Sequence, residues 1–342
     1  MTRVTLTALL VTIAFIGCSR SHAPVSRQST AMNTYITVTI YDEDIENPRA
    51  EALIDSAFAE IRRVENFATD YSDSSEVGRV NLAAGKDSLR VSEELIDLVR
   101  AGIGYGDQSG GKLDITVGPL AKAWNFLAEH PRVLTRREAD SLLPLVNYRS
   151  VHINGRYLFL PQKGMRLDLG SIGKGWAIER AADVLRRAGV RKFIVDIGGK
   201  LKIEFQGSHL LDSAVADVSV RHPRKTGEYL GHFMMGSGAV STSGDYERFF
   251  IQNGIRYHHL LDPATGFPLR GVAAVTVITQ DAFVADALST VVFLLGREQG
   301  MQFMRNTPGL DGMITYEDGD SLKSEMTERL AKAFRRERSN AE

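Results

Sequence analysis

Arg166-Leu-Asp-Leu-Gly-Ser-Ile-Gly-Lys-Gly-Trp-Ala177 sets an acid, a glycine-rich turn and a lysine where an apolar run passes into a helical pattern. Glycines let the backbone approach an anion closely, the first amides of a helix have no intrahelical acceptor, and Lys174 adds a point charge. The spacing is neither the GxxxxGK(S/T) phosphate loop nor GxGxxG. From these residues alone two readings stand: an anion-holding turn, or a tight strand-to-helix connection with a solvated lysine. Downstream, the pattern predicts a helix from Gly173 to Ala188 stopped by Gly189, then a strand from Phe193 to Ile197 ending in Gly198-Gly199.

Upstream, Tyr35 to Tyr41 alternates as a strand and Pro48 to Phe67 keeps helical spacing with proline in its first turn. Ser92 with Glu93 and Glu94 opens another helix, Thr135 and Glu138 have capping-box spacing, and Asn154-Gly155 marks a hairpin between short apolar runs. Further strands are expected at Ala214 to Val220, Tyr257 to Leu261 and Ala273 to Thr279, with helices near Phe283 to Leu295 and Glu325 to Arg336. Strands arrive in runs with hairpins rather than in strict βαβ alternation. The expected class is therefore α+β, with mixed or antiparallel sheets and packed helices, in two intimately associated halves of roughly 30–160 and 161–342.

Composition sets the outer bounds. The chain has 342 residues, 43% hydrophobic and 24% charged, which is ordinary for a globular protein and excludes wholesale disorder. A net charge of -1 provides no field for non-specific nucleic-acid binding. Arg3 precedes an apolar run from Val4 to Ile16, too short to span a bilayer, that ends in Gly17-Cys18. It is read as a lipoprotein signal over residues 1–17, with Cys18, the sole cysteine, as the acylated residue. Residues 18–29 then read as a polar tether, and the mature chain is expected at a bacterial membrane, facing the periplasm or extracytoplasmic space.

Several constellations can carry chemistry. Asp286 and Thr290 fall four apart in a predicted helix, so a carboxylate and a hydroxyl share one face and make a partial magnesium site; a helix cap with a buried hydroxyl is the plain alternative. His258 and His259 are adjacent in a predicted strand and point to opposite faces, so only one enters any given site, as a general base or as structure. Ser241 and Ser243 lack the GxSxG elbow of a hydrolase nucleophile. Trp124 and Phe126 suit a planar ring or a core equally.

Ala31-Met-Asn-Thr34, Ser75 to Asn81, Leu113 to Leu120, Asp168 to Gly175, Val195 to Gly199, Thr242-Ser-Gly244, His259 to Gly266 and Ala285 to Thr290, in this order, resemble the ApbE family of FAD:protein FMN transferases. The resemblance spans roughly residues 31–300. It implies a magnesium-dependent enzyme that splits the FAD pyrophosphate, attaches FMN through its phosphate to a threonine or serine of an acceptor flavoprotein, such as a membrane redox-complex subunit, and releases AMP. It further implies that Asp286 and Thr290 ligate Mg2+ with a backbone oxygen near Ser171. Met32, Lys112, Leu113, Asp114, Asp168 and Lys174 would contact FAD. His259 would sit beside the acceptor hydroxyl and take its proton.

Four positions depart from the usual pattern: Asn33 in place of a glycine, Ser171, Trp176 in place of tyrosine, and Lys200 where asparagine or aspartate is common. Two other functions share the same residues. One is hydrolysis of FAD to FMN and AMP, with water as acceptor; the other is a lipoprotein that binds FAD without chemistry.

Overall fold

A computed structural model describes residues 23–337 apart from 127, 212, 214 and 320. The signal segment 1–17, Cys18 and the start of the tether lie outside the described residues, as does Ala214. Eight strands form one sheet in chain order: β1 Val25–Ala31, β2 Thr34–Ile40, β3 Lys192–Ile197, β4 Lys200–Phe205, β5 Gly238–Gly244, β6 Val272–Thr279, β7 Asp311–Asp318 and β8 Ser321–Met326. Every neighbouring pair is antiparallel. The α+β expectation holds. A single sheet nevertheless joins β1 and β2, from the first expected half, to strands of the second.

The expected tether is shortened at its end, because residues 25–29 belong to β1. Its Ser-Arg-Gln-Ser-Thr run carries little apolar signal because β1 is an edge strand, most of whose side chains face water. Met32 and Asn33 join β1 to β2 with φ of 53° and 58°. Two successive left-handed residues make the primed hairpin turn that matches strand twist, and asparagine tolerates that region best after glycine. This accounts for Asn33 where glycine is usual.

Three helices cover one face of the sheet: α1 Asn47–Ala68, α6 Gly173–Arg187 and α7 Ala282–Asn306, with α7 lying across β5 and β6. The opposite face is closed by a small sheet of strands 216–221, 229–235 and 335–336, packed through Val218, Val220, Phe233 and Met235 onto Val240 and Ile278. With both faces covered, all eight residues of β6 are buried, which is why that stretch reads as continuous apolar sequence rather than alternation.

Between β2 and β3 lie α1, then α2 Glu76–Ala83, α3 Glu93–Gln108, α4 Gly118–Trp124 and α5 Arg136–Leu142. The capping box at Thr135 and Glu138 forms, and so does the 152–154/157–159 hairpin. Two expectations are corrected. The strand near Tyr257 spans 255–258, ending where the chain turns out to pair Leu261 with Pro268. The helix expected over Glu325 to Arg336 is only α8 Glu328–Ala333, because β8 takes Glu325 and Met326 into the sheet and residues 335–336 pair with the 229–235 strand.

Candidate functional site

The first turn of α6 and the face of α7 meet at Gly175. Its amide donates to Asp286 Oδ2 at 2.7 Å. In a regular helix that amide would bond the carbonyl four residues back, at Ser171; among the described residues no backbone donor takes the Ser171 carbonyl. An amide of the first helical turn has no acceptor within its own helix, and Asp286 supplies one. The approach requires glycine: a Cβ at position 175 would stand 2.4 Å from the Ala282 carbonyl oxygen and 2.6 Å from Asp286 Cβ.

Asp286 is buried, at 1% exposure. Its Oδ1 has no aligned hydrogen bond, although Lys200 Nζ stands 2.7 Å away as an ion pair. Lys200 is itself buried and also meets Ser241 Oγ at 2.8 Å. A chain of hydroxyls continues through Ser241–Ser289 at 3.1 Å and Ser289–Ser243 at 2.8 Å, and Ser243 lies 3.4 Å from Thr290 Oγ1. Asp286 and Thr290 therefore share one face of α7, and β5 supplies the serines opposite them. That use of Ser241 and Ser243 leaves no hydrolase triad, since Asp245 is clamped by Arg224 at 2.6 and 2.7 Å.

Lys174 follows at the start of α6. Loss of solvent, then the Lys200 ammonium, pull its pKa down to about 8, with the Asp286 carboxylate opposing. His259 feels Lys174 as well. Desolvation first, then Arg248 and Lys174, push its imidazole down to about 3, and its Nδ1 is shut off from water with no partner. The ring is neutral at pH 7 and keeps an acceptor lone pair. His258 faces the other way: its ring bonds the Leu269 carbonyl at 2.7 Å and receives the Leu260 amide, so it is structural.

Met32 reaches this region from the hairpin turn. Its Cε would sit 3.7 Å from a Cβ at Gly173, and its amide donates to Glu65 Oε1 at 2.7 Å. Tyr71 donates to the same oxygen at 2.6 Å. A groove of about 440 Å³ opens here, lined by Thr30, Ala31, Asn33, Thr34, Tyr35 and Glu65. Asp168 accepts from the Gly170 amide at 2.8 Å and so shapes the turn before α6. Burial and the neighbouring Asp168 raise the Asp70 carboxyl to about 6, with Arg166 and Arg248 opposing.

The Lys112 to Asp114 segment divides. Lys112 is half-buried and pairs with Asp262 Oδ2 at 3.1 Å, on the loop that follows His259. Leu113 points into the core, and both Asp114 oxygens are engaged internally, by the Thr116 amide and hydroxyl and by the Tyr148 amide. Those two side chains hold the segment in place rather than facing the site. Trp124 is also core: it stacks on Phe126 and donates to the Gly266 carbonyl at 2.8 Å.

Sequence reasoning did not find Lys200 as a partner of Asp286, Glu65 beneath Met32, or Asn81. The last bonds both the Leu167 carbonyl and the Leu167 amide, at 3.0 and 2.7 Å, and so pins the chain just before Asp168.

The donor set fits a hard cation better than a soft one. Among the described residues no group of three or more histidine, cysteine or acidic side chains is placed to hold a metal ion. What the site offers is one carboxylate oxygen without an aligned hydrogen bond, a hydroxyl one turn away and a free carbonyl. Magnesium takes few protein oxygens and completes its shell with water and phosphate.

Fold and site together define an α+β protein in which the first turn of one helix meets a buried carboxylate on the face of another. A family model described as the ApbE family matches residues 32–314, and the chain belongs to that family. It is 30% identical over 302 residues to an FAD:protein FMN transferase of Klebsiella pneumoniae, covering 87% of this chain and 91% of that one. An FAD:protein FMN transferase of Treponema pallidum is 29% identical over 309 residues, with 86% and 84% covered. The crystal structure of the ApbE protein from Thermotoga maritima superposes with a TM-score of 0.81 at 28% identity, over 92% of this chain and all of that one. The flavin transferase ApbE from Vibrio cholerae gives 0.78 at 25% identity, over 91% and 99%.

Proposed function

We propose that this chain transfers FMN from FAD to a threonine or serine hydroxyl of an acceptor flavoprotein, with Mg2+ at Asp286 and release of AMP. The observation that carries the reading is the Asp286–Gly175 bond, which sets a buried carboxylate against the first turn of the helix that carries Lys174. Phosphoryl transfer asks a protein mainly for positioning and for cations around the phosphate oxygens.

Asp286, Thr290 and the Ser171 carbonyl would hold the metal. When bound, it supplies positive charge to the pyrophosphate oxygens. Lys174 adds a second charge, and its own amide, at the start of α6, would donate to the same phosphates. Met32 and the groove beside it would bound the dinucleotide on the β1–β2 side, and Asp168 would hold the turn against it, with Lys112 on the far wall. The acceptor oxygen attacks the FMN-side phosphorus, the bond to the bridging oxygen breaks, and AMP leaves with that oxygen. His259, neutral at pH 7, would take the acceptor proton.

Incubating the protein with FAD, MgCl2 and an acceptor domain tests the reading. Transfer gives a fluorescent acceptor band that survives denaturation. AMP formed while the acceptor stays dark would assign the hydrolytic reaction instead, and retained FAD with no AMP would assign a binding protein. Cys18 and the apolar run before it support a lipid-anchored, extracytoplasmic protein, which mass analysis of the mature N-terminus would test.

A further inference from the structure

The Gly198-Gly199 turn, with φ of 62° and 84°, delivers Lys200 at the start of β4. There its ammonium stands 2.7 Å from Asp286 Oδ1 and 2.8 Å from Ser241 Oγ, with only 11% of the side chain exposed. The other Asp286 oxygen is fixed by the Gly175 amide. The oxygen left without an aligned hydrogen bond for a divalent ion is therefore the one on which Lys200 sits. Magnesium ligates oxygen at about 2.0–2.1 Å, which puts a 2+ charge beside a buried ammonium unless Lys200 withdraws. Both charges cannot share Oδ1 without a strong mutual penalty in a site this dry.

We propose that Lys200 competes with the divalent metal for Asp286, holding the carboxylate in the nucleotide-free protein and weakening its affinity for metal until a pyrophosphate brings compensating negative charge. The proposal rests on the reading of Asp286 as a metal ligand. It makes Lys200 a specificity-determining residue: the metal enters together with the dinucleotide rather than ahead of it. Lys200 replaced by glutamine keeps the length and a hydrogen-bonding end toward Ser241 while removing the charge.

The test is calorimetric titration of the nucleotide-free protein with MnCl2, comparing wild type, Lys200→Gln and Asp286→Asn. Lys200→Gln is expected to bind Mn2+ at least about tenfold more tightly than wild type, and Asp286→Asn to lose the site. Equal or weaker binding in Lys200→Gln, with the site lost in Asp286→Asn, overturns the competition while leaving Asp286 a ligand. Undiminished binding in Asp286→Asn removes the metal reading and the competition with it. A second measurement needs no variant: wild-type crystals soaked in MnCl2 are expected to show anomalous density against Asp286 Oδ1 with Lys200 Nζ moved away. An ion bound there beside an unmoved Lys200 contradicts the proposal.

Discussion

The amide of Gly175 donates to Asp286 Oδ2 at 2.7 Å, tying the first turn of α6 to a residue 111 positions later in α7. Because a Cβ there would lie 2.4 Å from a backbone oxygen, Gly175→Ala cannot be absorbed by a side-chain shift. Overpacking of this kind costs about 1–3 kcal/mol. The expected outcome is a lower denaturation midpoint together with lost activity; unchanged stability would mean that the two helices separate easily.

Asp286→Ala removes the Gly175 acceptor and strands the Lys200 ammonium. It is expected to abolish turnover and to destabilise by about 3–5 kcal/mol, the cost of breaking a buried pair by deleting one partner. Steady-state assay with denaturant unfolding checks both. Undiminished activity would remove Asp286 from the site.

His259 gives a pH signature. Its folded pKa, about 3, lies below the ordinary value of 6.5, so between those limits the unfolded chain binds a proton that the folded chain does not. The histidine's contribution is then fully favourable above about pH 6.5 and is lost as pH falls toward 3. His259→Gln should flatten that part of the stability profile. As a base it should contribute roughly 10² to 10⁴ in rate; a loss below about threefold in His259→Ala would point to structure instead.

Asn81→Ala should destabilise by about 1–3 kcal/mol, because it leaves both backbone groups of buried Leu167 without their partner. The effect should appear in FAD affinity too, since Asp168 follows directly. Equilibrium unfolding and a fluorescence titration with FAD measure the pair. Stability within about 0.5 kcal/mol of wild type, the range of an ordinary surface change, would show that the loop is held otherwise.

Much of the fold was legible where one physical signal governed a segment. Amphipathic spacing gave α1 and α6, Gly189 stopped α6, and the continuous apolar run gave β6. The helix expected to end at Leu295 does break there, at Gly296 with φ 78°, and a second helical stretch runs on to Asn306. β1 was hidden because an edge strand needs no apolar face, and β8 because Glu325 and Met326 suit a helix in isolation and a sheet edge in context. At the site, i,i+4 spacing paired Asp286 with Thr290, since a helix imposes that geometry locally. Lys200 and Glu65 owe their places to sheet order and hairpin docking, which no local period encodes.

The most direct measurement is the ratio of AMP released to FMN covalently attached, by chromatography and intact-mass analysis of an acceptor domain incubated with enzyme, FAD and MgCl2. The account predicts one AMP for each acceptor gaining a single FMN on a threonine or serine, with neither product formed by Asp286→Ala. AMP accumulating with the acceptor mass unchanged would contradict it.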